Sequence, residues 1–226
     1  MYTLYIANKN YSSWSLRPWV LMQELNIPFH EELSVFSDGS NWDTFRTFSP
    51  NGLVPCLQHS DEIIWDSLAI TEYLYENHPQ VWPKSQKARA WARCASAEMH
   101  SGYLSLRNQC PMNCGVRIKL HQTTESLLKD IRRLDEIWKQ GLSLFNGPFL
   151  AGKSLTAVDA FFAPVAFRIQ TYNLPISDAS AEYVKLLLSL DSMQEWYKSA
   201  LLEPWREIGH EQESRDCGEI HTDFRN

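Results

Sequence analysis

Residues 3–7 form a short β-branched and aromatic run, residues 8–15 are polar, and residues 16–25 place apolar side chains at helical spacing. That order predicts strand, loop and helix, with Asn26-Ile27-Pro28 ending the helix. Residues 29–36 alternate well enough for a second strand, which completes a βαβ unit with the usual right-handed crossover. The polar segment 37–51 has room for one short helix. Two brief apolar runs follow, 53–57 and 63–65, separated by His59-Ser60-Asp61-Glu62, and they read as a hairpin. Pro55 cannot donate to a sheet ladder, so it belongs at a strand start, an edge or a bulge, and is a candidate for a cis peptide bond. Asp66-Ser67 precedes the helical pattern 68–74, with an acceptor side chain at its start.

Beyond this ββα segment the pattern changes. Residues 79–85 form a proline-bounded linker, and after it helices are expected at 86–109, 122–144, 157–171, 179–189 and 191–200. Ser154 to Asp159 fits a capping box in which Thr156 caps and Asp159 reaches back. From Gly209 the tail is polar and aperiodic, which reads as a mobile or packed-over extension. The expected fold is therefore α/β plus all-α: residues 1–78 as a βαβ-ββα domain, residues 86–226 as an all-helical one.

Composition narrows the function. The chain of 226 residues is long enough for two cores, and 44% hydrophobic against 21% charged residues is ordinary for a globular protein. A net charge of −6, with no basic cluster longer than Arg132-Arg133, speaks against a nucleic-acid partner. Cys56, Cys94, Cys110, Cys114 and Cys217 are scattered without CxxC spacing, so reduced thiols are expected, with no disulfide framework and no metal site. The start MYTLYIANKN lacks the apolar segment of a signal peptide, and no apolar run approaches membrane-spanning length. A cytoplasmic protein without a membrane partner is the expectation.

Three motifs then carry a resemblance: Asn10-Tyr11-Ser12-Ser13-Trp14-Ser15-Leu16-Arg17, Asn51-Gly52-Leu53-Val54-Pro55-Cys56-Leu57, and Asp66-Ser67-Leu68-Ala69-Ile70. Their order and spacing, with the capping box at Ser154–Asp159, resemble the glutathione S-transferase superfamily over most of the chain, which implies that residues 1–78 form a thioredoxin-like domain. The first turn is similar to that of the zeta class, which runs Ser-Ser-Cys-Ser, but Trp14 stands where that class has cysteine. That departure argues against a maleylacetoacetate isomerase-like reaction and against disulfide exchange through a protein thiol. The turn more closely resembles that of bacterial transferase-like proteins carrying NYSSWSLRPW.

The resemblance implies that glutathione is the co-substrate and a small hydrophobic electrophile its acceptor. A homodimer is implied as well. Ser12, favoured on spacing, or its neighbour Ser13 would donate a hydrogen bond to the glutathione sulfur and stabilise the thiolate, aided by the helix N-terminus. Val54, beside Leu53 and Pro55, would pair its backbone with the tripeptide. Asp66 and Ser67 would hold the γ-glutamyl end. Trp14 is a candidate contact for glutathione, and with His100, Tyr103 and Arg107 also a candidate for the electrophile pocket. Each residue has an ordinary structural use too: serine and Asp-Ser cap helices, and a Met, Tyr and Leu stripe on 86–109 is more often core. The implied activities are conjugation, with peroxide reduction by the same thiolate; the competing readings are a non-catalytic glutathione or ligand carrier and a glutathione-dependent isomerase.

Overall fold

The computed structural model describes residues 1–225. Strand β1 (Tyr2–Ile6) buries Tyr2, Leu4 and Ile6 on one face, and helix α1 (Ser13–Glu24) follows it. The helix begins three residues before the expected Leu16, because Ser13, Trp14 and Ser15 already hold helical backbone ahead of Pro18. Strand β2 (Phe29–Leu33) runs parallel to β1, with Tyr2 opposite Phe29 and Ile6 opposite Leu33. Its last residues fall short of the expected Phe36: the Phe36 amide instead donates to Asn8 Oδ1 at 2.7 Å.

One short helix, α2 (Trp42–Phe45), occupies the polar segment. Strands β3 (Cys56–His59) and β4 (Glu62–Trp65) form the hairpin, and β3 pairs antiparallel with β1, so the sheet order is β2-β1-β3-β4. Pro55 lies just ahead of β3, where no ladder bond is asked of it, and the Val54–Pro55 bond is cis. Helix α3 (Ser67–Asn77) follows, capped by the Asp66 carboxylate, which accepts from the Leu68 amide at 2.8 Å. This is the βαβ-ββα order that the alternation pointed to, arranged as a thioredoxin-like sheet-and-helix domain.

The remainder is dominated by helices. The expected single helix over 86–109 is two: α4 (Gln86–Ser101) and α5 (Leu104–Gln109). Gly102 and Tyr103 break it. Tyr103 takes left-handed backbone at φ 60°, and a Cβ on Gly102 would sit 2.8 Å from the Glu98 carbonyl oxygen. Helix α6 (Glu125–Phe145) starts at Thr124, whose hydroxyl accepts from the Leu127 amide.

Helix α7 (Ala157–Tyr172) is the axis of the domain, buried along nearly its whole length and packed against α1, α4 and the helix α8 (Asp178–Ser189). The capping box forms: Asp159 Oδ2 accepts from the Thr156 amide at 3.0 Å. Asp159 Oδ1 also accepts from the Leu150 amide and the Tyr183 hydroxyl, both at 2.9 Å. One carboxylate thus ties a helix start to a loop and to α8. Helix α9 (Asp191–Leu202) closes the bundle.

The tail is ordered, unlike the mobile alternative that its composition left open. It forms helix α10 (Ile208–Cys217) and a final strand (Gly218–Asp223), which pairs antiparallel with β5 (Val116–Leu120); the final strand is β6. Neither strand was expected. Polar contacts, which leave no apolar periodicity, hold this region: Arg225 pairs with Glu211 and Asp223, and the Arg225 and Glu211 side chains are 2% and 8% exposed. Among the described residues no helix is long and apolar enough to cross a membrane.

Candidate functional site

The loop between β1 and α1 is fixed by the helical domain. The Lys9 amide donates to Glu203 Oε1 at 2.6 Å, Trp196 Nε1 donates to the Lys9 carbonyl at 2.8 Å, and Asn10 Nδ2 donates to the Ala200 carbonyl at 2.5 Å. Burial pushes the Glu203 carboxyl up, against hydrogen bonds from Lys9 and Asn10 that pull it down. A loop satisfied on both sides in this way has little freedom, and it delivers Tyr11, Ser12 and Ser13 to one place.

That place is a cavity of about 470 Å³ lined by Ser12, Ser13, Trp14, Leu53, Val54, Pro55, Asp66, Ser67 and Arg107, among others. The three sequence motifs, which start at Asn10, Asn51 and Asp66, meet on its walls. His100 and Tyr103 do not reach it. The His100 ring lies edge-on behind Trp14, 5.3 Å between centroids, with Nε2 3.4 Å from Asp66 Oδ2. Burial, the largest influence, holds the His100 imidazolium below its ordinary range, with the Asp66 charge opposing. Tyr103 is core: it is buried, and its hydroxyl donates to Glu98 at 3.2 Å. The expected pocket roles of these two are corrected to support from behind the wall.

Ser12 stands at the N-cap position of α1, its carbonyl accepting from the Leu16 amide, yet its side chain makes no capping bond. The hydroxyl donates to Ser15 Oγ at 2.7 Å, and Ser15 Oγ accepts in turn from the Ala7 amide. Ser13 is arranged differently. Its Oγ accepts from Arg168 Nη2 at 3.4 Å, which leaves its own proton available toward the cavity it lines. Both serines are nearly buried, at 5% and 7% exposure.

Arg168 is the residue that sequence reading missed. It sits within the apolar run of α7, 155 residues from Ser13, with Nε donating to the Cys110 carbonyl at 2.8 Å. Nothing local marks it as part of a site. The cavity also takes Phe36, Phe45, Pro111 and Met112 as apolar lining, with His210 and Glu213 from α10. His210 stacks on Tyr11 at 4.9 Å and its Nδ1 lies 2.6 Å from Glu207. The tail is thereby part of the site's wall.

At the other end of the cavity Asp66 holds φ 74°, the left-handed region that a non-glycine residue enters at a cost of about 1–3 kcal/mol. Ser67 is buried, and its Oγ accepts from Arg17 Nη1 at 3.3 Å. A carboxylate, a helix N-terminus and a hydroxyl are thus presented side by side, a donor and acceptor set suited to an amino-acid end group. Among the described residues no three His, Cys, Asp or Glu side chains gather as metal ligands.

Comparison with known proteins agrees with this layout. Residues 11–77 match the family model described as "Glutathione S-transferase, N-terminal domain". A rice (Oryza sativa subsp. japonica) protein named probable glutathione S-transferase DHAR2, chloroplastic, is 22% identical over 192 residues, which cover 83% of this chain and 64% of that one. Glutathione S-transferase GstB of Escherichia coli K12 is 36% identical over 95 residues, covering 37% of this chain and 46% of that one. A solved Burkholderia glutathione transferase homolog with bound glutathione superposes at TM-score 0.64 with 21% identity, covering 88% of this chain and 97% of that one. The fold is therefore the two-domain fold of glutathione transferases. Over residues 11–77 the chain is similar to the N-terminal domain of that family.

Proposed function

We propose that the protein is a glutathione transferase that adds the glutathione thiolate to small electrophiles with substantial apolar surface. One observation carries this reading: the Ser12-Ser13 turn, the Val54–cis-Pro55 loop and the Asp66-Ser67 helix start line a single cavity. Asp66 would hold the γ-glutamyl ammonium, Ser67 and the start of α3 its carboxylate, and the Val54 backbone the cysteinyl segment. Bound there, glutathione supplies a thiol nucleophile.

The protein's part is to make that thiol ionise. A free thiol has a pKa of about 8.5, so little of it is thiolate at neutral pH. A hydroxyl donor to sulfur contributes about 1.5–3 kcal/mol, one to two pKa units, because the acceptor is charged. Spacing along the chain favours Ser12 for this role. Hydrogen bonding favours Ser13, since Ser12 spends its proton on Ser15 while Ser13 is polarised by the Arg168 guanidinium. We assign the thiol contact to Ser13, with Ser12 and Ser15 fixing the turn. The thiol proton passes to solvent, sulfur bonds to the electrophilic carbon, and the leaving group departs with its electron pair.

Unbridged cysteines, the exposed Cys94 among them, suit a reducing compartment, and we place the protein in the cytoplasm as a scavenger of electrophiles. The test is direct: retention on immobilised glutathione together with turnover of chlorodinitrobenzene and of cumene hydroperoxide. Retention without turnover of either would leave a ligand carrier, and failure of both would overturn the reading.

A further inference from the structure

Three guanidinium groups crowd around Trp14. Arg17 lies 4.0 Å over its ring, Arg107 lies 4.8 Å from the same ring, and Arg168 reaches the neighbouring Ser13. Arg17 and Arg168 are 1% and 5% exposed. Their hydrogen bonds all go to neutral acceptors. Arg17 donates to Ser67 Oγ, Arg107 to the carbonyls of Gly102 and Met99, and Arg168 to the carbonyls of Cys110 and Pro164 and to Ser13.

Among the described residues none of the three forms an ion pair, although ion pairs are frequent elsewhere in the chain. Arg17 Nε is buried with no partner at all. The carboxylates nearest in effect are committed elsewhere: Asp66 caps α3 and faces His100, and Asp130 Oδ2 accepts from the Leu106 amide. Burial and the Arg168 charge pull Arg107 down to about 10, and burial, then the charges of Arg107 and Arg168, lowers Arg17 as well.

Folding has thus gathered three guanidinium groups, two of them buried and one half-buried, with no carboxylate in direct contact, an arrangement that an incoming anion would complete. Arg107 and Arg168 are the two that line the cavity. One thiolate beside Ser13 answers one positive charge. The second guanidinium remains, and its planar fork is matched by a carboxylate, while Trp14, Pro111 and Met112 beside it offer flat apolar contact.

We infer that the second substrate is a flat, largely apolar electrophile that carries a carboxylate, received by Arg107 while Arg168 faces the sulfur beside Ser13. The inference rests on the transferase reading of the cavity and sharpens the class of acceptor from merely hydrophobic to anionic and aromatic or unsaturated.

The test pairs two isosteric acceptors, a chloronitrobenzoate and the matching chloronitrobenzamide. Calorimetric binding to the full chain saturated with S-methylglutathione, whose blocked sulfur prevents reaction, reads recognition without chemistry. The benzoate is expected to bind about tenfold or more tightly than the amide, the worth of one charge-assisted contact. In Arg107→Gln that ratio should fall below about twofold. The wild-type ratio stands as a test even if a variant fails to fold, and equal binding of the two compounds to the wild type would overturn the inference.

With glutathione itself, attack forms the carbon–sulfur bond, breaks the carbon–chlorine bond and releases chloride with the electron pair, the thiol proton going to water. The benzoate should show the larger kcat/KM by a similar factor. A preserved binding ratio with no turnover of either compound would sink the transferase reading while leaving the anion subsite standing.

Discussion

Tyr11 donates a 2.6 Å hydrogen bond to Glu211, joining the residue next to Ser12 to a carboxylate two hundred positions further along the chain. The same carboxylate pairs with Arg225 and accepts weakly from Asn113. Burial alone would raise Glu211, but the bonds from Arg225 and Tyr11 outweigh it and hold the carboxyl below its ordinary range. The same contact with Glu211, after burial, drives the Tyr11 phenol upward. The C-terminal strap is therefore latched to the turn that forms the site.

Removing the latch should be costly. Glu211→Ala takes one of two carboxylates from the buried Arg225 side chain and leaves Asp223, a loss of about 2 kcal/mol, so melting should fall by about 4–8 °C. Tyr11→Phe removes one bond and should cost about 1 kcal/mol. Because the folded carboxyl titrates below the unfolded one, the latch is present above about pH 4.3 and lost as pH falls through the folded value. Limited proteolysis within residues 208–225 should accelerate on acidification in the wild type. An unaltered cleavage rate in Glu211→Ala would show that the strap is held by something else.

The two serines separate cleanly. Ser13→Ala should lower kcat/KM by about tenfold to a hundredfold and raise the pH at which bound glutathione ionises by one to two units, as loss of a charge-assisted bond requires. Ser12→Ala should cost less than about fivefold, because its hydroxyl serves Ser15. Spectrophotometric titration of the bound thiolate near the ultraviolet absorbance of sulfur reads both. The opposite ranking would restore Ser12 as the thiol donor, as chain spacing suggests.

The difference between spacing and hydrogen bonding here shows where sequence reading ends. The β1 pattern, the proline ahead of β3 and the Thr156–Asp159 box are local: each depends on neighbours within a few residues, and each was legible. The end of the cavity proposed to hold glutathione is lined by motifs that are contiguous in sequence, so those residues too could be picked out along the chain. Arg168 was not, because its partner Ser13 lies in another domain and its own surroundings in α7 look like plain core. Nor were β5 and β6, where a strand pair joins segments about a hundred residues apart, and where Glu211 and Arg225 replace the apolar face that a pattern search needs. The break at Gly102-Tyr103 was hidden because tyrosine seldom adopts positive φ.

Asp159 offers a test of the helical domain apart from catalysis. It is fully buried, and that burial pushes its carboxyl up to about 6 even though Leu150, Thr156 and Tyr183 all donate to it. Asp159→Ala strands two buried amides and a hydroxyl and should cost about 3–5 kcal/mol by chemical denaturation. An exposed aspartate titrates at about 3.9, so the folded state binds this proton more tightly than the unfolded state does. The associated stability is complete below about pH 4 and fades as pH rises through about 6. The penalty for Asp159→Ala should therefore be larger at about pH 5 than at about pH 8, by about 1 kcal/mol. A penalty that grows with pH instead would mean that the carboxylate, and not the neutral acid, is the form the fold prefers.

Strand β4 bears on the expected homodimer. It is the edge of the four-stranded sheet, and it leaves Ile63 and Trp65 exposed at 42% and 45%, beside partly buried Leu68 on α3. An unprotected apolar edge of this kind invites pairing, and a lone monomer would ordinarily blunt it with charge. We propose that this edge is where two copies meet. Wild-type protein should then elute at twice the mass of the 226-residue chain, and Ile63→Lys should shift it to a single copy while leaving the helical content unchanged. Light scattering alongside circular dichroism decides the matter: a monomeric wild type would remove the dimer, and a dimer that survives Ile63→Lys would move the interface to another face.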